Sequence, residues 1–207
     1  IGRLDLILEA EGDSVNRYKV GKQADALMLF YLFSADELRS VLDRMGYALD
    51  PEVIPRTVAY YTERVTHGSS LSPVVHAWVL ARGDREASWR YFRQALEADL
   101  TDGRAGSGTT REGIHIGAMA GTIDILQRCY TGMEARGECL WLHPMLPAQI
   151  DRLGFKLFYR GHPLELSIDR RRVRVSAAGS RAAPATIVVN GEPCVLHAGK
   201  SVEAPLG

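Results

Sequence analysis

Helix start and stop signals recur between apolar-periodic segments from about residue 22 to residue 130, and they restrict this stretch to a helical architecture. Ser34 and Glu37 have the spacing of a capping box, and Ser72 followed by Pro73 is typical of a helix start. Six helices are therefore predicted. They run from Lys22 to about Phe33, from Ser34 to about Gly46, from Asp50 toward Val65, from Ser72, from Asp84 to about Leu96 and from Glu112 to Tyr130.

The sixth predicted helix carries Gly113, Gly117 and Gly121 at four-residue spacing. A glycine inside a helix costs about 1 kcal/mol relative to alanine, so three of them require close packing or a ligand in compensation. We expect this helix to be buried against its neighbours.

The pattern changes after about Arg136 to period-two and β-branched runs, which predict a small β domain. The fold class is thus mainly α with a small β domain, divided into residues 1–135 and 136–207 with a linker at Gly132–Gly137. The predicted strands are Lys156–Tyr159, Leu164–Ile168, Val173–Val175, Thr186–Val189 and Cys194–His197, with a turn at Asn190–Gly191 before the last strand.

Composition excludes several classes of function. The 207 residues include 25 Lys and Arg against 25 Asp and Glu, so no net field attracts nucleic acid or an acidic membrane. The arginines at 170, 171, 172 and 174 form the one dense charge cluster, and a solvated strand face accounts for it better than a phosphate or partner site. Three cysteines without a CxxC pair, and no apolar run of about 18 residues, favour a cytoplasmic protein with reduced thiols.

Two loops place hydroxyls, a glycine and a histidine at predicted helix starts. Helix amino termini present unpaired N–H groups and partial positive charge, so these side chains suit an anion such as phosphate, which both loops could share. Thr109 with Glu112 also fits a plain capping box, Ser72 a plain cap, and either histidine a buried one with satisfied hydrogen bonds. The candidate ligands are His67, Ser69, Ser70, Thr109, Thr110 and His115.

Lys22 and Gln23 follow Gly21 as in a phosphate-binding loop, but Asn16 stands where that loop needs a glycine. A lysine and an amide at a helix mouth suit sugar hydroxyls, with a surface lysine as the equal alternative. His76 is predicted to be a core residue. His143, His162 and His197 do not have the spacing of metal ligands. Four carboxylates are candidate catalytic groups without individual support: Glu63, Asp99, Asp102 and Asp124.

Three stretches carry a resemblance to a known family: residues 22–25 (KQAD), 66–72 (THGSSLS) and 108–121 (GTTREGIHIGAMAG). They resemble signature segments of glycoside hydrolase family 65, which contains inverting phosphorylases of maltose, trehalose, kojibiose and related α-glucosides. The last stretch is long and specific. The resemblance extends from about Arg17 to the end of the chain.

The resemblance implies a fold: the second half of an (α/α)6 barrel followed by a C-terminal antiparallel β-sheet domain. It also implies that the general acid, a glutamate, lies in a motif upstream of Lys22, which Glu9 and Glu11 do not match. The chain alone is therefore expected to be inactive, and to form a homo-oligomer or associate with a missing N-terminal half.

The resemblance further implies that Lys22 and Gln23 hold the glucose unit, while the six loop residues given above surround inorganic phosphate. Phosphate would attack the anomeric carbon and give β-glucose 1-phosphate with inversion. An α-linked disaccharide and phosphate are then the partners, without metal or organic cofactor. A family 65 hydrolase of the trehalase type and a non-catalytic carbohydrate-binding or assembly module remain the alternatives.

Overall fold

Two compact units make up the chain, Ile1–Thr122 and Ile123–Gly207. The first contains the helices and the second contains two β-sheets, which confirms the predicted order of a helical part followed by a sheet part. The residues that the computed structural model describes are 4–21, 23–66, 69–100 and 113–206.

Seven helices lie within the described residues. The six that the sequence predicts after residue 22 correspond to the last six of these, and the first helix is an addition. None is long and apolar enough to cross a membrane. The helices are α1 Leu4–Ala10, α2 Asp25–Leu32, α3 Ala35–Arg44, α4 Val53–Thr62, α5 Ser72–Leu80, α6 Arg85–Leu96 and α7 Ile116–Asp124, which continues as a π-helical turn, Ile125–Cys129.

Side-chain caps explain where two of these helices begin. The Ser34 hydroxyl accepts the amide of Glu37 at 3.3 Å, and the Glu37 carboxylate accepts the amide of Ser34 at 2.9 Å, so the predicted capping box is confirmed. Asp84 starts α6 by accepting the amide of Ala87 at 2.9 Å. These bonds satisfy backbone amides that have no partner inside the helix.

The predicted cap of α5 is wrong by one residue. Leu71 is the capping residue, and Ser72 is already the first helical residue. The turn before the helix is closed by Ser69 instead, whose hydroxyl accepts the amide of Leu71 at 3.3 Å and whose carbonyl accepts the amide of Ser72 at 3.1 Å. The serine that stabilises this helix start therefore lies three residues earlier than the sequence pattern suggests.

The last helix of the unit, α7, is shorter than predicted. It begins at Ile116, so Gly113 lies before it, with a φ of +94° that favours glycine. Gly121 is buried against Val74 of α5, as the prediction of close packing requires, whereas Gly117 is exposed. The predicted start at Glu112 falls outside the described residues.

The second unit is a pair of four-stranded sheets that share one core. All strand pairs are antiparallel except β2 and β6, which are parallel. One sheet has the order β1-β2-β6-β7 and the other β3-β4-β5-β8. The strands are β1 Glu134–Arg136, β2 Cys139–Leu142, β3 Arg152–Tyr159, β4 His162–Asp169, β5 Arg172–Ala177, β6 Ala185–Val189, β7 Glu192–Leu196 and β8 Ser201–Pro205.

The sheet unit corrects one prediction and confirms two. Gly132–Gly137 is not a linker, because it contains β1, which pairs with β2. The turn at Asn190 and Gly191 is present, with φ values of 50° and 91°. The arginine cluster is exposed as predicted, and Arg172 forms an ion pair with Glu203 at 2.8 Å.

Candidate functional site

Four of the eight predicted site residues lie in the described part of the chain. Gln23 is exposed just before α2, Ser69 and Ser70 are half-buried just before α5, and His115 is half-buried just before α7. Each thus lies near a helix amino terminus, as the sequence predicts. The other four are outside the described residues: Lys22, His67, Thr109 and Thr110.

A parallel β-bridge joins the first two predicted segments. Gly21 pairs with Val65; the amide of Gly21 donates to the carbonyl of Arg64 at 2.8 Å, and the amide of Thr66 donates to the carbonyl of Gly21 at 2.9 Å. Thr66 is buried. The residue before Lys22 therefore lies against the residue before His67, although they are far apart in sequence.

The start of α5 contains a buried hydroxyl. Ser72 is only 1% exposed, and its Oγ makes no hydrogen bond to any residue in the described ranges. A buried hydroxyl normally has a partner, since leaving it unsatisfied costs about 1–3 kcal/mol. The start of α5 thus has a third hydroxyl, in addition to those of Ser69 and Ser70, and this third one has no hydrogen-bond partner among the described residues.

The helices α5 and α7 run parallel. A Cβ built on Gly117 would lie 3.6 Å from Cδ2 of Leu71, and one built on Gly121 would lie 2.5 Å from Cγ1 of Val74. Because the contacts ascend together along both helices, their amino termini lie at the same end. The positive ends of the two helix dipoles are therefore adjacent, with hydroxyls before one helix and His115 before the other.

Asp99 holds His115 at two points. One carboxylate oxygen, Oδ2, accepts the backbone amide of His115 at 3.0 Å, and the other, Oδ1, lies 3.0 Å from the ring Nδ1. The side chains are 14% and 24% exposed respectively. The carbonyl of His115 accepts the amide of Met119 at 3.1 Å, so His115 is the N-cap residue of α7.

The sequence includes Asp99 among candidate carboxylates but does not single it out. It lies sixteen residues before His115, with no local motif that links the two. Of the others, Glu63 pairs with Arg64 at 3.1 Å and Asp124 with Arg128 at 3.3 Å, both as ion pairs within one helix region. Asp102 is outside the described residues.

His76 is a core residue, as predicted. It is fully buried in α5, and its Nδ1 lies 2.8 Å from the carbonyl of Ser72, an acceptor, so Nδ1 carries a proton. The ring packs against Tyr91 at 4.9 Å between centroids. Burial lowers the pKa of His76, and the hydrogen bond to Ser72 offsets part of that shift. Packing, rather than ligand binding, accounts for this residue.

Comparison with known proteins identifies the family. Residues 2–124 match the glycosyl hydrolase family 65 central catalytic domain, and residues 133–196 match the C-terminal domain of the same family. The chain belongs to glycoside hydrolase family 65. The two family matches follow the helical part and the sheet part of the chain, which agrees with the resemblance drawn from the sequence.

Family 65 relatives include proteins named as phosphorylases. The chain is 31% identical over 179 residues to trehalose 6-phosphate phosphorylase of Lactococcus lactis, covering 86% of this chain and 23% of that protein. It is 30% identical over 195 residues to kojibiose phosphorylase of Halothermothrix orenii, covering 92% and 23%. An uncharacterized glycosyl hydrolase of Mycobacterium tuberculosis is 51% identical over 203 residues, covering 98% and 15%.

A solved structure shares the fold. A human-microbiome protein assigned as a kojibiose phosphorylase superposes with a TM-score of 0.74 over 91% of this chain and 25% of its own, at 23% sequence identity. The chain therefore spans between 15% and 25% of the length of these family 65 proteins.

Proposed function

We propose that this chain is part of an inverting α-glucoside phosphorylase, which converts an α-linked disaccharide and phosphate into β-glucose 1-phosphate and a free sugar. The observation that carries the proposal is the parallel arrangement of α5 and α7, whose amino termini lie at one end. The relatives named as phosphorylases support the same reaction class.

Inorganic phosphate is the ligand that this end of the helices suits. Two helix amino termini supply partial positive charge, and Ser69, Ser70 and His115 supply hydroxyls and an imidazole beside them. A phosphate has four oxygens, so several hydrogen-bonding side chains bind it better than one does. We include His67, Thr109 and Thr110 in the proposed site on the strength of the family resemblance.

The glucose unit is proposed to bind at Lys22 and Gln23. The bridge between Gly21 and Val65 supports this, because it fixes the chain before Lys22 against the chain that leads into the serine loop. A sugar bound by the first segment would then lie beside a phosphate bound by the second. Proximity of that kind is what a displacement between the two requires.

The reaction balances without a cofactor. A phosphate oxygen forms a bond to the anomeric carbon from the face opposite the departing sugar, and the glycosidic C–O bond breaks with inversion. The leaving oxygen takes the bond's electron pair and a proton from the general acid. By family likeness this acid is a glutamate upstream of Lys22, so we propose that the chain acts only with that upstream part, whether in one polypeptide or in an assembly.

Phosphate dependence tests the proposal. The protein that contains this chain at its natural length is incubated with trehalose, kojibiose, maltose and their phosphorylated forms, with and without inorganic phosphate. Phosphorus NMR identifies the anomer of any glucose 1-phosphate. We expect β-glucose 1-phosphate to form only when phosphate is present, and release of free glucose alone would reject the proposal.

Hydrolysis is the second candidate, favoured by the name of the 51% identical relative. A hydrolase replaces phosphate with water and needs a carboxylate base to activate it. Equal turnover with and without phosphate, with glucose as the product, would identify this activity in the same assay.

A further inference from the structure

Asp99 has a geometry that a helix cap alone does not require. A cap needs one acceptor for a backbone amide, whereas Asp99 uses one oxygen for the amide of His115 and the other for its ring. Both contacts are 3.0 Å, and the carboxylate is only 14% exposed. The side chain thus fixes the backbone and the imidazole of one residue simultaneously.

The contact also determines which ring nitrogen faces a ligand. A carboxylate only accepts hydrogen bonds, so Nδ1 of His115 carries a proton in this contact. Since Nδ1 and Nε2 lie on different sides of the imidazole ring, Nε2 is directed away from Asp99. An imidazole held in one orientation loses less conformational freedom when a ligand binds than one that rotates.

From this geometry we infer that Asp99 is a positioning residue that presents Nε2 of His115 to inorganic phosphate. The inference rests on the proposed phosphate site. It adds a residue from the end of the α6 region to a site otherwise built from the residues that precede α5 and α7. Asp99 acts through His115, because an ionised carboxylate only accepts hydrogen bonds and would be repelled by the anionic oxygens of phosphate.

Equilibrium binding of inorganic phosphate to the full-length protein, measured by calorimetry, tests the inference without relying on turnover. Asp99→Ala removes both contacts, and we expect the Kd for phosphate to rise roughly tenfold or more, as for the loss of a hydrogen bond to a charged group. Asp99→Asn keeps one acceptor and should restore part of the affinity. Asp43→Asn, at an exposed carboxylate of α3, is the matched control and should change nothing.

The combination with His115 separates positioning from a general structural effect. In the His115→Ala protein, Asp99→Ala should add less than a twofold further loss of phosphate affinity, because the group that Asp99 orients is gone. Kinetics give a second readout: Asp99→Ala should raise KM for phosphate, with little change in KM for the disaccharide. An undiminished effect of Asp99→Ala in the His115→Ala background, or an unchanged phosphate Kd, would overturn the inference.

The two proposals fail in different ways. The wild-type protein could bind phosphate, and the effects of Asp99→Ala and His115→Ala on that binding could be non-additive as expected, while the protein hydrolyses its substrate. In that case the phosphorylase proposal fails and the role of Asp99 stands. If phosphorolysis occurs and Asp99→Ala binds phosphate normally, only the role of Asp99 is rejected. A wild-type protein that binds no inorganic phosphate rejects both.

Discussion

A Cβ on Gly121 of α7 would lie 2.5 Å from Cγ1 of Val74 and 3.3 Å from its Cβ. At this point, therefore, only a glycine fits between the two helices without a shift of the neighbouring atoms. Val74 is almost fully buried and β-branched, which leaves it little freedom to move. The absence of a Cβ at residue 121 thus lets α7 pack directly against α5, with the amino termini of the two helices at the same end.

The variant Gly121→Ala should destabilise the protein relative to Gly117→Ala. Both changes gain helix propensity of up to about 1 kcal/mol, but only the first introduces an overlap, which costs about 1–3 kcal/mol. Gly117→Ala makes an ordinary contact with Leu71 at 3.6 Å and should be neutral or stabilising. Unfolding in urea measures the difference, and equal stability of the two variants would contradict the close approach.

Local signals in the sequence were sufficient for most of the helices and five of the strands. The caps at Ser34 and Asp84 act through residues three positions away, so spacing alone reveals them. The alternation of β4 is equally local, because one face of that strand is buried and the other exposed. For these elements the pattern along the chain and the structure have the same physical cause.

Elements that depend on distant partners were missed. Helix α1 has only seven residues, and β8 is a five-residue edge strand in which Val202 and Ala204 are only half-buried, so the sequence pattern of each is too short to assign. The link from Asp99 to His115 and the bridge from Gly21 to Val65 join residues with no fixed spacing. Such contacts arise from tertiary packing, which motif spacing does not encode. The sequence motifs identified the two segments that the bridge joins, but not that they lie side by side.

In the sheet unit, Gly132 should be far less tolerant of substitution than Gly137. Both have positive φ, +60° and +55°, and alanine there costs about 1–2 kcal/mol in each case. A Cβ on Gly132 would also lie 2.5 Å from the carbonyl oxygen of His143, whereas Gly137 has nothing within 4 Å. Backbone atoms yield less readily than a side chain, so Gly132→Ala should cost a further 1–3 kcal/mol, approximately. Chemical denaturation of both variants checks this, and a matching loss in both would contradict it.

Stability should fall as the solution is acidified, in part because of His76. Burial lowers its pKa below the ordinary 6.5, so the unfolded chain takes up the proton first as the pH falls through that value. The contribution to stability is complete above about pH 6.5 and is lost progressively below it.

The free energy of unfolding, measured from pH 8 to pH 5, checks the role of His76. His76→Gln lowers stability at pH 8 through lost packing but should show a shallower decline toward pH 5, because glutamine does not titrate. His197→Gln, at an exposed position of the sheet unit, is the control and should keep the wild-type slope. If His76→Gln retains that slope, another group causes the acid sensitivity.

Substitutions of Ser69 and Ser70 should distinguish an effect on stability from an effect on phosphate binding. The hydroxyl of Ser69 accepts the amide of Leu71, so Ser69→Ala should cost about 1 kcal/mol of stability as well as weakening phosphate binding. The hydroxyl of Ser70 makes no hydrogen bond to a described residue, so Ser70→Ala should change stability by less than about 0.5 kcal/mol. It should nevertheless raise KM for phosphate several-fold while KM for the disaccharide stays within a factor of two.

Ser40→Ala, on the exposed face of α3, provides the comparison for both measurements. A Ser70→Ala protein with wild-type KM for phosphate would remove this hydroxyl from the proposed site, whereas a large loss of stability would show that its role lies in the fold.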